Sequence, residues 1–404
     1  MRNIFSKLTL VVVLIVFGFA ACDQPTNNLN NENQQETQDL SKTPQDIGNR
    51  YIVVFDEKDS KGKAIGSDRV KAVRSEMLTS YSIEEKAVSN KYNVAIQGFA
   101  ANLSDKQLSD LRNDDRVAYI EKDRMVALAP PGSCSPWPSC KDGDGGSTSQ
   151  TTPWGITRIG GATASSGTAW VIDTGVDLDH PDLNVDQSRS VTFITSGKDS
   201  KSADDGNGHG THVAGTIAAI DNDIDVVGVA AGATVVGVKV LDSRGSGSYS
   251  GIINGIDYVA ANASAGDVAN MSLGGGASQS VDDAVRNAAD QGIYFAIAAG
   301  NDSDDANNYS PARVEYNNVW TVSAIDDTDT FASFSNYGNP PIEYAAPGVD
   351  ILSLWMDGGT DTISGTSMAS PHVAGLLLVT NGSPNSDGTA INDPDGDPDP
   401  IAHN

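Results

Sequence analysis

Lysine and arginine are in short supply here: 26 of them stand against 53 aspartates and glutamates, a net charge of −27. Sequence-blind binding to nucleic acid is therefore excluded, since it needs clustered cations to displace counterions. An acidic surface favours solubility and gathers calcium. Cysteine is rarer still, with three in 404 residues, so disulfides do not hold the whole chain together. Long apolar runs are missing too, because the one at the front, Leu8 to Ala21, is too short for a comfortable membrane span. What remains is 39% hydrophobic and 20% charged, an ordinary globular composition, long enough for two or three domains and a packed core.

Arg2 and Lys7 ahead of that apolar run give residues 1–21 the layout of a secretory signal, so the chain is expected to be exported. Cys22 follows Phe19-Ala20-Ala21, which fits either a lipidated cysteine at a new N-terminus or a plain signal cut near Ala20 or Ala21. Residues 22–49, rich in Asn, Gln, Asp and Thr, are expected to be a flexible tether. Residues 50–129 have their own alternation. Tyr51–Phe55 predicts a strand, Val70–Tyr81 a helix, and Val94–Leu103 a second extended run. Ser104 then caps a helix with Leu108 and Leu111 inward, and Val117–Ile120 is a closing strand. The order approximates β-α-β-β-α-β, a small ferredoxin-like α+β domain. It holds no His or Cys, and its charges read as solvated faces.

Residues 130–150 turn to Pro, Gly, Ser and Asp and predict an exposed linker, the kind of segment proteases cut. Cys134 and Cys140 flank a short loop within it, suited to a local disulfide; as a metal pair they lack further Cys or His to complete a site. Asp142-Gly143-Asp144-Gly145-Gly146 lacks the closing glutamate of an EF-hand, which leaves it as linker.

From residue 151 to 380 nearly continuous apolar strands alternate with helical stretches, predicting an α/β fold: a mostly parallel sheet with helices on both faces. Ala169–Ile172 runs into Asp173-Thr174-Gly175, which puts Asp173 at a strand's carboxyl end, where open α/β sheets carry their chemistry; taken alone, such an aspartate just as well caps a turn. Asn207–Thr216 enters a helix through glycines and sets His209 on its first turn. His209 and His212, three apart, share a helical face as a metal pair would, but no third protein ligand accompanies them. His212 reads as a packed structural residue. His180 lies in an exposed-looking turn, His372 behind Ser367, and His403 in the tail, none placed to be a base. Asn301 ends another strand, as a turn former or as a side-chain amide donor. Ser367, among the small residues of Gly365–His372, is tipped into the start of a helix whose free N–H groups face any oxyanion formed there. A serine becomes a nucleophile when a base takes its proton.

Asp173-Thr174-Gly175, His209–Gly215, Ala299-Gly300-Asn301 and Gly365–Ala369 together resemble the signature segments of subtilisin-like serine proteases, in the order Asp, His, Ser known from subtilisin. Pro153–Ile156 and Ser333–Gly338 are similar to the proteinase K-like branch. The resemblance implies Ser367 as nucleophile, His209 as base, Asp173 as its orienting carboxylate and Asn301 as oxyanion donor. It implies a cleft with Ser272, Leu273 and Gly274 on one wall and Gly245, Ser246 and Tyr249 on the other, gripping an extended peptide as an added strand with apolar or aromatic preference. Residues 50–129 resemble the family's inhibitor-type propeptide, implying a self-processed zymogen cut between Ala129 and Gln150, detached by that cut from any lipid anchor. Calcium is the implied cofactor, with Glu343 and the carbonyls of Asn317 and Val319 as ligands; Glu343 otherwise is a surface acid. Protein or peptide substrates, the chain's own propeptide and a monomeric state are expected. One departure stands out, because residues 381–404 replace the family's final elements with an Asp/Pro run expected to be disordered or calcium-associated. Rival readings are an inactive subtilase-like surface lipoprotein used for binding, and a secreted esterase, whose triad runs Ser, Asp, His.

Overall fold

A computed structural model describes residues 45–56, 66–128 and 149–404. The expectations on Cys22, on Cys134 and Cys140, and on the cut region up to residue 148 lie outside the described residues.

The N-terminal domain runs β1 (Asp46–Phe55), α1 (Ser67–Ser80), β2 (Val88–Tyr92), β3 (Gly98–Asn102), α2 (Asp105–Leu111) and β4 (Val117–Ala127). That is the expected order, with two corrections. The stretch Val94–Leu103 is not one strand: β2 ends at Tyr92, a turn intervenes, and β3 starts at Gly98. β1 starts at Asp46, inside the expected tether, and pairs there with Arg124. Ser104 closes a reciprocal capping box with Gln107, satisfying two backbone N–H groups at the mouth of α2. Val53, Phe55, Val73, Met77, Phe99, Leu108 and Leu111 fill a core between the sheet and both helices.

The following elements, in chain order, are α3 (Trp154–Arg158), β5 (Thr168–Asp173), β6 (Asn184–Val185), β7 (Val191–Thr192), α4 (His209–Ala218), β8 (Thr234–Lys239), β9 (Ser246–Ser248), α5 (Tyr249–Asn262), β10 (Val268–Met271), β11 (Gly275–Gly276), α6 (Gln279–Ala289) and β12 (Tyr294–Ala298). They continue with β13 (Tyr309–Ser310), β14 (Val319–Ile325), β15 (Ile342–Pro347), β16 (Ile351–Trp355), β17 (Gly359–Ile363), α7 (Thr366–Val379), β18 (Asn385–Thr389) and β19 (Pro400–His403). The main sheet has the order β18-β19-β15-β14-β12-β10-β5-β8-β6, and every pair in it is parallel except β18 with β19. One face packs α4 and α7, with Val213, Ala214 and Ile217 against Met368, Ala369, Val373 and Leu377. The other packs α5 and α6 through Ile252, Ile256, Val281 and Val285. Because α7 is apolar all round and buried nearly throughout, it is a central helix that presents no solvent stripe.

The tail is not disordered. Residues 385–389 and 400–403 form a hairpin that extends the main sheet, with Ile401 paired to Ala345 on β15 and buried with Phe331 and Ile325. The prolines do exclude a helix, but Ile401 and Ala402 make one short apolar patch that a sheet edge can bury. No helix among the described residues is long and apolar enough to cross a membrane.

Candidate active site

The site forms where β5, α4, β12 and α7 end or begin. Asp173 terminates β5 beside Lys239 on β8 and is fully buried. Its Oδ1 accepts the Thr174 N–H at 2.7 Å and meets Nδ1 of His209 at 2.8 Å, so Nδ1 carries the proton and Nε2 is left as the acceptor. Burial works against the imidazolium, but the Asp173 carboxylate outweighs it, and the His209 pKa is raised above 6.5. α4 begins at His209 because Gly208 takes φ 108°, and a Cβ there would fall 2.2 Å from the Trp355 ring.

Ser367 stands in the first turn of α7. Pro371 lacks the N–H that would bond the Ser367 carbonyl within the helix, and Ser272 Oγ fills that place at 2.7 Å. The Ser367 hydroxyl donates to the Ser272 carbonyl at 3.2 Å, with the end of the N-terminal domain lying in the same pocket. That hydroxyl is bonded to Ser272 and not to His209, whose bond is to Asp173; serine–histidine bonds of this kind commonly close when substrate is bound. Asn301 follows β12, and its Oδ1 accepts both the N–H and the hydroxyl of Thr366 at 2.9 Å. That fixes the amide, leaving Nδ2 toward the start of α7, where a Cβ on Gly365 would lie 3.4 Å from it.

Ser367, Asn301, Ser272, Leu273 and Gly274 line one pocket, together with Ala298, Ala299 and Ala312, and the N-terminal domain reaches into it with Ala127 and Leu128. β4 pairs antiparallel with β9: Met125 opposite Ser248, Val126 opposite Gly247 and Ala127 opposite Ser246. The Leu128 N–H donates to the Gly245 carbonyl at 2.9 Å. Gly245 and Ser246 thus grip an extended chain through its backbone. Tyr249 lies under the cleft as a floor, fully buried, its hydroxyl bonded to the Gly276 carbonyl. A Cβ on Gly275 would collide with that hydroxyl at 2.8 Å and with Val126 at 2.9 Å.

The N-terminal domain's charges are not all solvated faces. Asp123 is fully buried and accepts the N–H and Oγ–H of Ser250 at 3.1 and 2.6 Å, at the start of α5. Glu121 takes the N–H and Oγ–H of Ser280 at 2.9 and 2.6 Å, at the start of α6. Carboxylates at helix N-termini meet free donors and the positive end of the dipole. In the opposite direction, Asp257 of α5 accepts N–H groups of Asn93, Val94 and Ala95, which fall in the turn between β2 and β3. These contacts join residues far apart in sequence, and only the alternation of Glu121 and Asp123 on one strand face hints at them.

Other histidines are out of play. His212 bonds the Ile351 carbonyl, and burial drives its pKa down to about 3; His372 bonds the Met368 carbonyl and falls to about 4. His180, expected to be exposed, is 3% exposed and accepts the Asp182 N–H. His403 lies in β19. Glu343 on β15 accepts the Thr321 N–H at 2.7 Å, and burial pushes its carboxyl up to about 8. Among the described residues no group of three His, Cys, Asp or Glu side chains could hold a metal.

Residues 170–390 match the subtilase family, and residues 50–129 match the peptidase inhibitor I9 family. Alkaline serine exoprotease A of Vibrio alginolyticus is 43% identical over 356 residues, 84% of this chain and 62% of that protein. Proteinase R of Parengyodontium album is 43% identical, covering 72% of each chain. An extracellular serine proteinase of Thermus sp. (strain Rt41A) is 41% identical, covering 84% of this chain and 81% of its own length. The crystal structure of a cold adapted subtilisin-like serine proteinase is similar at 40% identity and a TM-score of 0.55, over 62% of this chain and 97% of that one.

Proposed function

The chain belongs to the subtilase family and is a serine endopeptidase carried behind an inhibitor-type domain, and we propose that Asp173, His209, Ser367 and Asn301 run its acyl transfer. Ser367 Oγ attacks the peptide carbonyl while His209 Nε2 takes its proton and passes it to the leaving amine; water then repeats the sequence and frees the acyl group. Asp173 holds the tautomer and balances the imidazolium. Asn301 Nδ2 and the Ser367 N–H receive the oxyanion. The observation that carries this is the buried His209–Asp173 bond at 2.8 Å, together with a pocket lined by Ser367 and Asn301 that receives the chain's own Leu128. Ser367→Ala is expected to abolish peptide hydrolysis and fluorophosphonate labelling, and also self-processing. Substantial turnover by the purified variant would refute the assignment, whereas a wild-type chain that takes no fluorophosphonate label would revive a binding role.

Substrates are extended protein segments held on β9 by backbone bonds, with tolerance of sequence and an apolar or aromatic preference that the lining Leu273, Ala298, Ala299 and Ala312 supports. The N-terminal domain, residues 50–129, inhibits in place until a cut within 129–150 separates it from a catalytic domain of residues 151–380 and the tail 381–404. Export follows from the front of the sequence, with Cys22 as a lipid anchor of the unprocessed form and Cys134–Cys140 as a local disulfide; N-terminal sequencing of the secreted form tests export and locates the cut, and the non-reduced mass of the uncut Ser367→Ala chain tests the anchor and the disulfide. The enzyme acts as a monomer. Calcium fits at Glu343 with the carbonyls of Asn317 and Val319, since a half-buried carboxyl raised to about 8 keeps a proton at neutral pH unless a cation joins it. The ion there is structural and takes no part in bond cleavage.

A further inference from the structure

We propose that Asp205 is a positioning residue for this reaction: its buried carboxylate ties the end of β5 to the start of α4 and so holds Asp173 and His209 in mutual register. The proposal rests on the triad assignment above and extends it by one residue.

Asp205 is 7% exposed and lies four residues before His209. Its Oδ1 accepts the Thr174 hydroxyl at 3.0 Å and the Asn207 N–H at 2.9 Å; its Oδ2 accepts the Thr211 N–H at 2.9 Å and the Thr211 hydroxyl at 2.7 Å. Both hydroxyls are oriented by donors of their own. Thr174 Oγ1 accepts the Gly210 N–H at 2.9 Å, and Thr211 Oγ1 accepts the Asp177 N–H at 2.9 Å, so each turns its proton to Asp205. Burial pushes the Asp205 carboxyl above its ordinary value, and these four converging donors oppose that by favouring the carboxylate. Thr174 is the hinge of the arrangement, because its N–H bonds Asp173 Oδ1 at 2.7 Å while its hydroxyl reaches Asp205. One chain of bonds therefore runs from Asp173 through Thr174 and Asp205 to Gly210 and Thr211, the residues that follow His209.

Charge matters as well as geometry. The imidazole is faced by Asp173 from β5 and Asp205 from the loop before α4. From β8, Lys239 donates to the Thr174 carbonyl and pairs with Asp199 at 3.4 Å. His212 on α4 and His372 on α7 are neutral, and Asp177 reaches Thr211 by its backbone N–H while its carboxylate accepts the Gly358 and Asp179 N–H groups. Asp205 thus adds a second buried negative charge that favours the imidazolium formed during catalysis, in line with the direction of the His209 shift.

The experiment measures kcat, KM and the pH profile on a peptide substrate, per fluorophosphonate-titrated site, in enzyme matured from the full chain. Asp205→Asn is expected to lower kcat by about 10-fold to 100-fold with KM within a few-fold, and to move the acid limb of kcat/KM down by on the order of one pH unit. Since an amide puts N–H against N–H on one side, Thr174→Val and Thr174→Ser decide the matter if that variant fails to mature. Valine cuts the tie but keeps the charge, so kcat falls about 10-fold with the limb in place; serine keeps the hydroxyl and restores kcat. A merely structural Asp205 would lower yield and melting temperature alone. An unmoved acid limb in Asp205→Asn, or unaltered kcat in Thr174→Val where the first variant cannot be matured, overturns the proposal. Turnover by Ser367→Ala would instead overturn the triad assignment beneath it.

Discussion

Glu121 offers the sharpest test of how the N-terminal domain is held. Its carboxylate supplies acceptors to the N–H and hydroxyl of Ser280, which is fully buried at the first turn of α6. Hydrogen bonds to a charged group contribute about 1.5–3 kcal/mol, and Glu121 regains water when the domain leaves, so we take about 2 kcal/mol for Glu121→Ala. That corresponds to roughly 30-fold weaker inhibition. Glu121→Gln keeps an acceptor and loses only the charge at the helix end, a cost of about 0.5–1 kcal/mol, or roughly 2-fold to 5-fold. The assay is the inhibition constant of the cleaved domain for its own enzyme, from progress curves as activity emerges after processing. Less than 3-fold weakening by alanine would refute the reasoning; so would glutamine weakening inhibition as much as alanine, since the charge would then be the whole effect. Asp123→Asn acts at α5, a separate helix, and its effect should add to that of Glu121→Gln.

Asn301→Ala should lower kcat by about 100-fold to 1,000-fold with little change in KM, and Thr366→Val, which releases the bonds on Asn301 Oδ1 in part, by about 10-fold; an alanine variant keeping a fifth of wild-type kcat would remove Asn301 from the oxyanion site. His209 is raised above 6.5, so activity should fall as pH drops through a limb above 6.5, where the imidazolium can no longer accept the Ser367 proton. A limb below pH 6 for the wild type would contradict that. Calcium should raise the melting temperature, and Glu343→Gln should remove most of that increase while leaving the active-site titre intact; an unchanged calcium response would exclude Glu343 as a ligand.

The chemistry was legible because each of its residues travels with a local constraint. Asp173 ends an apolar strand and Asn301 follows one, while His209 and Ser367 open helices behind glycines, and those patterns are written in consecutive residues. The supports were not. Glu121 and Ser280 are 159 positions apart, and Asp123 and Ser250 are 127, so only their alternation on one strand face sets these acids apart from solvated ones. Thr366 and Asp205 look like ordinary turn residues until their partners arrive from other elements. The tail misled by composition: its aspartates outweigh Ile401 and Ala402, yet those two fully buried residues decide where it goes. His180 misled in the same way, its Asp-His-Pro-Asp setting concealing a buried ring.

β9 is a strand only because β4 lies along it. Stripped of that companion, it becomes an open seam whose main-chain groups ask for a neighbour and take no account of whose neighbour it is. A frayed loop from another copy satisfies it as well as any other peptide segment does. Concentrated stocks of the free enzyme will therefore consume themselves, fastest near the temperature where loops begin to open, and the detached N-terminal domain is the natural preservative.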